Sequence, residues 1–396
     1  MTSLIAPDNA WPLWAFIVAG AALSIWLEQT FNWAAKMSGP VLALLLGMAL
    51  SNSRLLPTES SSYDIVDDYL VRVAVPLLLF RANVARIWRE TGTMLLAFHI
   101  AAIGSVIGAF VAGFMFRGAF DRVPEVAGIM TASYVGGGVN FVAVKESYEV
   151  GSELTNPLLV ADNFIMAGMF AVLLVIAVSK FFRRHYPHPH SLAGDTEDVR
   201  VLAARHWRAK EISLLDIAQA LAIAFVIAAG SVLLTNFLKA RIESKIVQSI
   251  IANPFVAITF LTVALTTLWH RRMEKIHGAE DLGMFLLYLF FFVIGLRADF
   301  FQVMRNVPIL FPFCFVMAVA NLVFTLGVGK LLRLNLEELL LGVNATLGGP
   351  PSAAAMAISR GWSNLVLPGL LAGIWGYVIG TFVGIVVTEA LKKLIG

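Results

Sequence analysis

Long apolar runs separated by short polar connections follow one another along the whole chain. The first half contains six such runs, at 11–28, 38–51, 65–83, 93–116, 124–147 and 156–182. A polar stretch at 183–211 separates them from six more, at 213–238, 249–270, 281–300, 307–332, 336–359 and 364–391. Most runs are long enough to span a bilayer as a helix, and they are continuous rather than alternating as in barrel strands. The pattern predicts an all-α, polytopic membrane protein.

The composition supports this prediction and excludes other classes. Of the 396 residues, 59% are hydrophobic and 14% are charged, whereas soluble domains carry about 25% charged residues. The net charge of +3 is too small to indicate a nucleic-acid partner. Cys314 is the only cysteine, so no internal disulfide can form. The runs contain neither metal-ligand spacing nor a nucleophile–base motif, so we expect neither an enzyme nor a cofactor. The histidines of HYPHPH, at 185–190, are expected to be solvated.

The two halves of the chain resemble each other. Four pairs of sequences recur in the same order at offsets near 208–216: GPVLALLLGMAL with NPFVAITFLTVAL, LLLFRANV with VIGLRADF, EVAGIMTASYVGGG with ELLLGVNATLGGPP, and NPLLVADNFIMAG with NLVLPGLLAGIWG. We therefore predict an internal duplication, with a first repeat at 11–182, a hydrophilic linker at 183–211 and a second repeat at 213–391. Duplicated halves are a hallmark of secondary transporters.

Each half contains one run that is unsuited to a continuous helix. Gly136–Gly138 interrupts the fifth run of the first half, and Gly348–Pro351 interrupts the matching run of the second. Glycine costs about 1 kcal/mol relative to alanine inside a helix, and proline removes a backbone donor. Unwound backbone in a membrane is tolerated only beside protein or a watery cavity. One such run would be explained by tight helix packing, but two at matching places predict breaks that meet at a binding site.

Two topologies are open at this point. If the broken runs cross the membrane, there are twelve spans and the repeats are parallel. If they are re-entrant hairpins, each half has five spans and the repeats are inverted, which is the arrangement that we favour. In both cases the loop lysines and arginines are more numerous on the side of the linker, so the positive-inside rule predicts that residues 183–211 are cytoplasmic.

These sequences also carry a resemblance to a known group. The order GPVLALLLGMALSN, VAVPLLLFRANV, TASYVGGGVNF and LLVADNFIMAG resembles the repeat of the cation:proton antiporter and anion transporter superfamily, which includes sodium/glutamate and bile-acid symporters. More narrowly, the whole chain resembles the YjcL-like family of bacterial membrane proteins, whose function is largely unassigned. The resemblance implies an inner-membrane protein with a scaffold domain, through which such proteins commonly form homodimers, and an elevator-type transport domain.

Asp162 is the strongest candidate for a coupling-ion ligand. A carboxylate in mid-membrane costs about 2.5–3.5 kcal/mol and is usually functional. As an anion it suits Na⁺, and as an acid it can carry a proton; alternatively, it pairs with a buried arginine or lies at the interface. We expect the ion among oxygen-bearing groups near the two breaks: Asp162, Asn163, Thr131, Ser133, Gly136, Asn344, Thr346 and Gly348.

The breaks also suit a small organic solute, because N–H groups at a half-helix start attract anions. The predicted substrate-binding residues are Gly137, Gly138, Val139, Asn140, Gly349, Pro350, Pro351 and Ser352. We interpret the chain as a sodium-coupled symporter of a small organic anion or zwitterion; the alternative is a cation/proton antiporter that uses Asp162. The sequence NLVLPGLLAGIWGYVIG has no basic residue, which weakens the antiporter interpretation. Arg81 and Arg297 are expected to anchor helix ends at the interface, and His99 to be a satisfied core residue.

Overall fold

The computed structural model of the chain describes residues 3–31, 34, 39–191, 211–297 and 300–395. Its helices are α1 (Ala10–Thr30), α2 (Gly39–Asn52), α3 (Ser61–Ile65), a π-helical turn (Val66–Leu70), α4 (Val71–Leu78), α5 (Val84–Glu90), α6 (Thr93–Met115), α7 (Val123–Gly136), α8 (Gly138–Ser147), α9 (Ser152–Val178), α10 (Lys180–His185), α11 (Leu214–Lys239), α12 (Lys245–Ile251), α13 (Pro254–Leu268), α14 (His270–Met273), α15 (Ala279–Leu296), α16 (Phe300–Leu331), α17 (Leu336–Ser359) and α18 (Ser363–Ile395). Most of the predicted linker, at 192–210, lies outside the described residues.

The helices follow the predicted apolar runs. Among the described residues, α1, α6, α9, α11, α15, α16 and α18 are long and apolar enough to cross a membrane, and α2 and α13 are shorter apolar helices. The run predicted at 65–83 begins earlier and its helix ends at Leu78. The chain turns after Leu78, and Asn83 then caps the next helix, α5, with its Oδ1 accepting the N–H of Arg86 at 3.2 Å. The prediction of an all-α polytopic protein is confirmed for the described part of the chain.

Capping residues determine where two helices of the second half begin. Asn253 accepts two N–H groups of the first turn of α13, and Pro254 occupies the first position, where a backbone donor is not needed. Ser213 and Asp216 form a reciprocal capping box at the start of α11. The polar residues next to these apolar runs therefore fix the helix boundaries.

The helices pack as two bundles. The core bundle contains α6, α7, α8, α9, α16, α17 and α18, and the flanking bundle contains α1, α2, α4, α11, α13 and α15. Contacts within each bundle are extensive, whereas contacts between them are sparse. In the core bundle α6 and α16 run antiparallel, because Gly104 lies against Asn321 while Gly108, one turn later, lies against Met317.

The α7–α8 segment, called hairpin 1 here, begins by running antiparallel to α18. Near its start, Gly128 lies against Thr388. At its end, Gly136 lies against Gly376. The first arm of hairpin 1 therefore runs from the C-terminal end of α18 to its middle.

The second arm of hairpin 1 returns along the same helix. Asn140 accepts a hydrogen bond from Thr381, and further along Tyr148 donates to Glu389 at 2.8 Å. Arg122, just before the hairpin, donates to the carbonyl of Tyr148, just after it, at 2.6 Å. The two ends of hairpin 1 therefore meet on one side of the molecule.

Helix α17 is called hairpin 2 here. Its first arm runs parallel to α6. Thr93 donates to Glu338 at 2.5 Å near the start of both helices. One turn later Gly342 lies against Ala97, so closely that no side chain fits between the two backbones. The directions of α6 and of this arm are therefore the same.

Helix α18 also runs parallel to α6. Trp375 Nε1 donates to His99 Nε2 at 3.0 Å, and towards the other end Leu391 lies against Gly113. The first arm of hairpin 2 and α18 thus share one direction. The chain between them has to reverse.

The reversal in hairpin 2 occurs at Gly349. The arm after it runs antiparallel to α18, because Pro350 lies against Gly373 and Ala353 lies against Gly369. Both broken segments are therefore helical hairpins rather than kinked helices that continue in one direction.

Candidate functional site

Both predicted breaks are centred on one glycine with the same backbone conformation. Gly137 has φ 74° and ψ −171°, and Gly349 has φ 71° and ψ −170°. This conformation is essentially restricted to glycine. At each break one half-helix ends and another begins, so orphan carbonyl and N–H groups lie in the middle of each hairpin.

The two breaks lie against each other. A Cβ atom built on Gly137 would be 4.0 Å from the Cα atom of Gly349. The ring of Tyr377, from α18, packs against both, with its nearest atoms 3.5 Å from the Cβ position of each glycine. The predicted meeting of the two breaks is therefore observed.

Side-chain amides hold each hairpin closed. Asn140 Nδ2 donates to the carbonyl of Gly136 at 2.8 Å, and Asn140 Oδ1 accepts the N–H and the hydroxyl of Thr381 at 3.0 and 2.6 Å. Across the second break, Asn344 Nδ2 donates to the carbonyl of Ser352, and Ser352 Oγ donates to Asn344 Oδ1, both at 2.8 Å. In this arrangement the side-chain amides of Asn140 and Asn344 both form their hydrogen bonds with other groups of the protein.

The half-helices that leave the two breaks offer different donors. Helix α8 begins with the N–H groups of Gly138 and Val139, which donate to none of the residues that the structure describes. The second arm of hairpin 2 begins with Pro350 and Pro351, which have no N–H. The positive ends of both helix dipoles face the break, but only the first break presents backbone donors at its first two positions.

Asp162 lies beside the first arm of hairpin 1. It is 7% exposed, and its Oδ2 accepts the hydroxyl of Ser133 at 2.8 Å. The hydroxyl of Tyr134 and the thiol of Cys314 also lie near this carboxylate. The approach of Tyr134 lacks hydrogen-bond geometry, so Asp162 Oδ1 and Tyr134 Oη are both buried without a partner.

The surroundings of Asp162 contain no compensating charge. No described basic side chain forms a salt bridge with it, so the alternative of a buried arginine partner is not observed in the described part of the chain. A buried, unpaired carboxylate is strongly unfavourable. Asp162 is therefore suited to be neutral through a bound proton or to be accompanied by a cation.

Comparison with known proteins places the chain in a family. A family model described as protein of unknown function (DUF819) matches residues 15–394. The chain belongs to this family. It is also 42% identical, over 386 residues, to the uncharacterized membrane protein YjcL of Bacillus subtilis (strain 168), and the alignment covers 97% of each chain. This DUF819 member is thus a membrane protein, and its resemblance to YjcL is confirmed, whereas the wider superfamily and the likeness to known symporters stay predictions.

Other predicted ion ligands of this DUF819 member make local hydrogen bonds. Thr131 donates to Ala127 within its own helix at 2.7 Å, and Asn163 donates to Leu159 at 2.8 Å. Thr346 instead belongs to a buried chain, because it accepts an N–H of Asn321 at 3.1 Å. The structure therefore brings Ser133 and Asp162 together, and it gives Thr131 and Asn163 partners on their own helices.

The place where the two breaks meet, around Gly137 and Gly349, is called the crossing here, and part of it is exposed. Gly138 and Pro351 are exposed, and Gly348 and Ser352 are half-buried, while the remaining predicted site residues are buried except for the half-buried Asn163. The exposed pair comes from the half-helix starts of the two breaks. The starts of both half-helices therefore reach the surface of the molecule.

Three residues that shape the crossing were not predicted from the sequence. Tyr377 contacts both breaks, Thr381 holds Asn140, and Asn321 connects Thr346 to Ser105, donating to the Ser105 hydroxyl at 2.7 Å. Each lies among apolar neighbours within a long apolar run. Their isolation in the sequence indicates burial, but only the fold reveals their neighbours.

A polar cavity of about 980 Å³ opens between the two bundles, where α2 and α15 end and α9 begins. Five acidic and two basic side chains line it: Glu59, Asp64, Glu146, Glu149 and Glu153, with Lys145 and Arg297. Arg297 pairs with Asp64 at 2.7 Å, and Lys145 with Glu146 at 2.5 Å. The excess of carboxylates favours the approach of cations.

His99 has partners on both ring nitrogens, as expected, whereas two of the loop histidines, expected to be solvated, contact backbone carbonyls. His99 Nδ1 contacts the carbonyl of Leu95 at 2.7 Å, and its other nitrogen accepts from Trp375. His185 and His188 contact backbone carbonyls at 2.7 and 3.1 Å. Within the described ranges, no group of three or more potential ligands is arranged to hold a metal ion.

Proposed function

We propose that this protein is a secondary active transporter of the bacterial inner membrane, a sodium-coupled symporter of a small organic anion or zwitterion. The observation that carries the proposal is the contact between Gly137 and Gly349, which brings two oppositely inserted broken hairpins together. Unwound backbone at membrane depth is tolerated where it lines a cavity, and transporters bind their solutes at such breaks.

An inverted repeat accounts for the chain directions. The fourth helices of the two halves, α6 and α16, run antiparallel, as inversion requires. Helix α2 runs parallel to α15, because Gly39 lies against Tyr288 and Gly47 against Leu296. Inverted repeats with five spans each also predict that α2 and α15 are parallel. Twelve spans would instead make α6 and α16 parallel. We infer ten spans plus two hairpins, with the linker at 183–211 cytoplasmic.

The division into two bundles supports an elevator mechanism. The core bundle contains both hairpins and Asp162, and its contacts with the flanking bundle are sparse. One of these contacts joins Lys145, in α8, to Phe290, in α15. The ammonium group of Lys145 lies 5.3 Å from the centre of the Phe290 ring. In the proposed mechanism, the core bundle carries the solute while the flanking bundle stays fixed.

Cation coupling follows from Asp162 and from the acidic cavity. Na⁺ would compensate the buried carboxylate and draw Ser133 towards it, which orders the hairpin arm that ends at Gly137. Coupling then arises because the solute binds better to the ordered crossing. Under the inferred topology the acidic cavity faces the extracytoplasmic side, from which Na⁺ enters.

Proton coupling is the second candidate, and one observation favours it. The neighbours of Asp162 are the hydroxyls of Ser133 and Tyr134 and the thiol of Cys314, all groups that can exchange hydrogen bonds with a protonated acid. A cation/proton antiporter would use Asp162 alternately for each ion.

Transport in proteoliposomes tests both candidates. For symport, we expect an inward Na⁺ gradient without a pH gradient to drive uptake of a carboxylate or amino acid from a radiolabelled panel. We expect Asp162→Asn to abolish this uptake and Glu90→Gln, an exposed carboxylate change, to preserve it. Proton efflux on addition of Na⁺, with no organic solute present, would indicate antiport instead. Normal Na⁺-driven uptake by folded Asp162→Asn would remove Asp162 from the ion site.

A further inference from the structure

Tyr377 is the one residue in the described chain that contacts the central glycine of both breaks. It is 9% exposed, and its ring lies against Gly137 and Gly349. Its hydroxyl is 3.5 Å from the Cβ position of Gly349 and makes no hydrogen bond with the described residues. A tyrosine this deeply buried normally finds a hydrogen-bond partner for its hydroxyl. The Tyr377 hydroxyl is not among the fully enclosed polar atoms without a partner, so it can donate a hydrogen bond to, or accept one from, a molecule that enters from outside the protein.

The backbone donors at the two breaks indicate which chemical group such a partner carries. An offset of 212 residues, which relates Gly137 to Gly349, pairs Gly138 and Val139 with Pro350 and Pro351. The first half-helix therefore offers two N–H donors where the second offers none. The Tyr377 hydroxyl lies against Gly349, beside the half-helix that lacks donors.

We propose that Tyr377 is a substrate-binding, specificity-determining residue that donates its hydroxyl to the carboxylate of the solute, together with the N–H groups of Gly138 and Val139. This inference rests on the proposed transport function and names the chemical group that the crossing recognises. The prolines remove the donors that would otherwise make the two breaks equivalent. The apolar rings of Pro350 and Pro351 are left to contact the remainder of the solute.

Tyr377→Phe isolates the hydroxyl, because it keeps the ring that packs on both glycines. Tyr186→Phe is the matched control. Its hydroxyl donates to the carbonyl of Leu326 in the same bundle, away from the breaks. The probes are acetate, L-alanine and L-glutamate, with acetamide and L-alaninamide as uncharged counterparts. Each is titrated in detergent against the melting temperature of the purified full-length protein, at fixed Na⁺ and ionic strength.

At least one carboxylate is expected to stabilise the wild type more than its amide counterpart. Tyr377→Phe is expected to weaken that binding roughly 10- to 100-fold, the worth of one hydrogen bond to a charged group. Tyr186→Phe is expected to leave the affinity unchanged, even though it lowers the melting temperature without ligand. Equal carboxylate affinity in Tyr377→Phe and the wild type, or no stabilisation of the wild type by any carboxylate, would overturn the proposal.

Pro351→Ala provides an independent test, because it adds a backbone N–H at an exposed position. In the Tyr377→Phe background it is expected to restore part of the lost carboxylate affinity, which a packing role for Tyr377 does not predict. Binding in detergent requires no ion gradient. Carboxylate binding without Na⁺-driven uptake would therefore reject the symport proposal and keep the role of Tyr377. Na⁺-driven uptake that Tyr377→Phe leaves unaffected would reject the role of Tyr377 and keep the symport proposal.

Discussion

Three consecutive glycines provide a graded test of the first break, because a methyl group meets a different obstacle at each. At Gly136, a Cβ atom would lie 2.3 Å from the carbonyl oxygen of Gly376 and 2.0 Å from Asn140 Nδ2. At Gly137 the nearest atom is 3.5 Å away, and at Gly138 it is 3.9 Å away. The obstacle is therefore steric at the first position, conformational at the second and absent at the third.

The magnitudes follow from these obstacles. Gly136→Ala pushes α7 away from the backbone of α18, and overpacking costs about 1–3 kcal/mol. It also displaces the Asn140 amide from its hydrogen bond, which adds about 0.5–1.5 kcal/mol. Gly137→Ala has no clash but adopts a conformation that costs about 1–3 kcal/mol for other residues. Gly138→Ala replaces an exposed glycine at a helix start and is expected to be neutral or slightly stabilising.

The assay is the apparent melting temperature of the purified variants in one detergent, followed by size-exclusion chromatography of heated samples. The expected order is wild type and Gly138→Ala highest, Gly137→Ala lower and Gly136→Ala lowest. Gly349→Ala should match Gly137→Ala, because the two glycines share one conformation. A loss for Gly138→Ala as large as that for Gly137→Ala, or a wild-type melting temperature for Gly137→Ala, would refute the reasoning, since the special backbone would then be irrelevant.

Two further predictions concern topology and the core. Single cysteines at Asp121 and Glu149, in a background without the native cysteine, should react with a membrane-impermeant maleimide from the same side of the membrane, and cysteines at Arg333 and Ser359 should react only from the opposite side. Labelling of Asp121 and Glu149 from different sides would contradict the hairpin. Asn321→Leu removes a buried amide that donates to two hydroxyls and should destabilise the protein by about 1–3 kcal/mol. Its melting temperature in the same assay should fall clearly below that of the wild type, and an unchanged value would show that the hydroxyls find other partners.

The breaks could be predicted from the sequence because their signal is local. Glycine and proline change the helix free energy of their own segment wherever the chain lies, so Gly136–Gly138 and Gly348–Pro351 stand out in apolar surroundings. The predicted duplication strengthens the signal, because a chance break has no reason to recur at the matching place. The apolar runs likewise predict the helices, apart from the boundary at Leu78, beyond which the chain turns and Asn83 caps the next helix.

The direction of the hairpins could not be predicted in this way. Each arm is about half a bilayer long, which suits a crossing helix and a re-entrant one equally well. The decision comes from long-range contacts such as those of Arg122 with Tyr148 and of Pro350 with Gly373. Such contacts depend on packing between distant segments, and a single sequence carries no direct record of them.

Departures from the repeat are where the chemistry of the crossing concentrates. At the offset of 212 residues that aligns the two central glycines, Ser133 corresponds to Ala345. At the offset of 208 that relates NPLLVADNFIMAG to NLVLPGLLAGIWG, Asp162 corresponds to Leu370 and Tyr377 to Met169. The shared positions build the framework, since both breaks need glycine at the same φ and ψ. The unshared polar residues cannot serve that framework, because the other half forms the same hairpin with apolar side chains in their places. A buried carboxylate, its hydroxyl donor and a phenol without a hydrogen bond to the described residues each lack a polar counterpart at the matching position, which is what the proposed ion and solute binding predicts and what folding alone does not require.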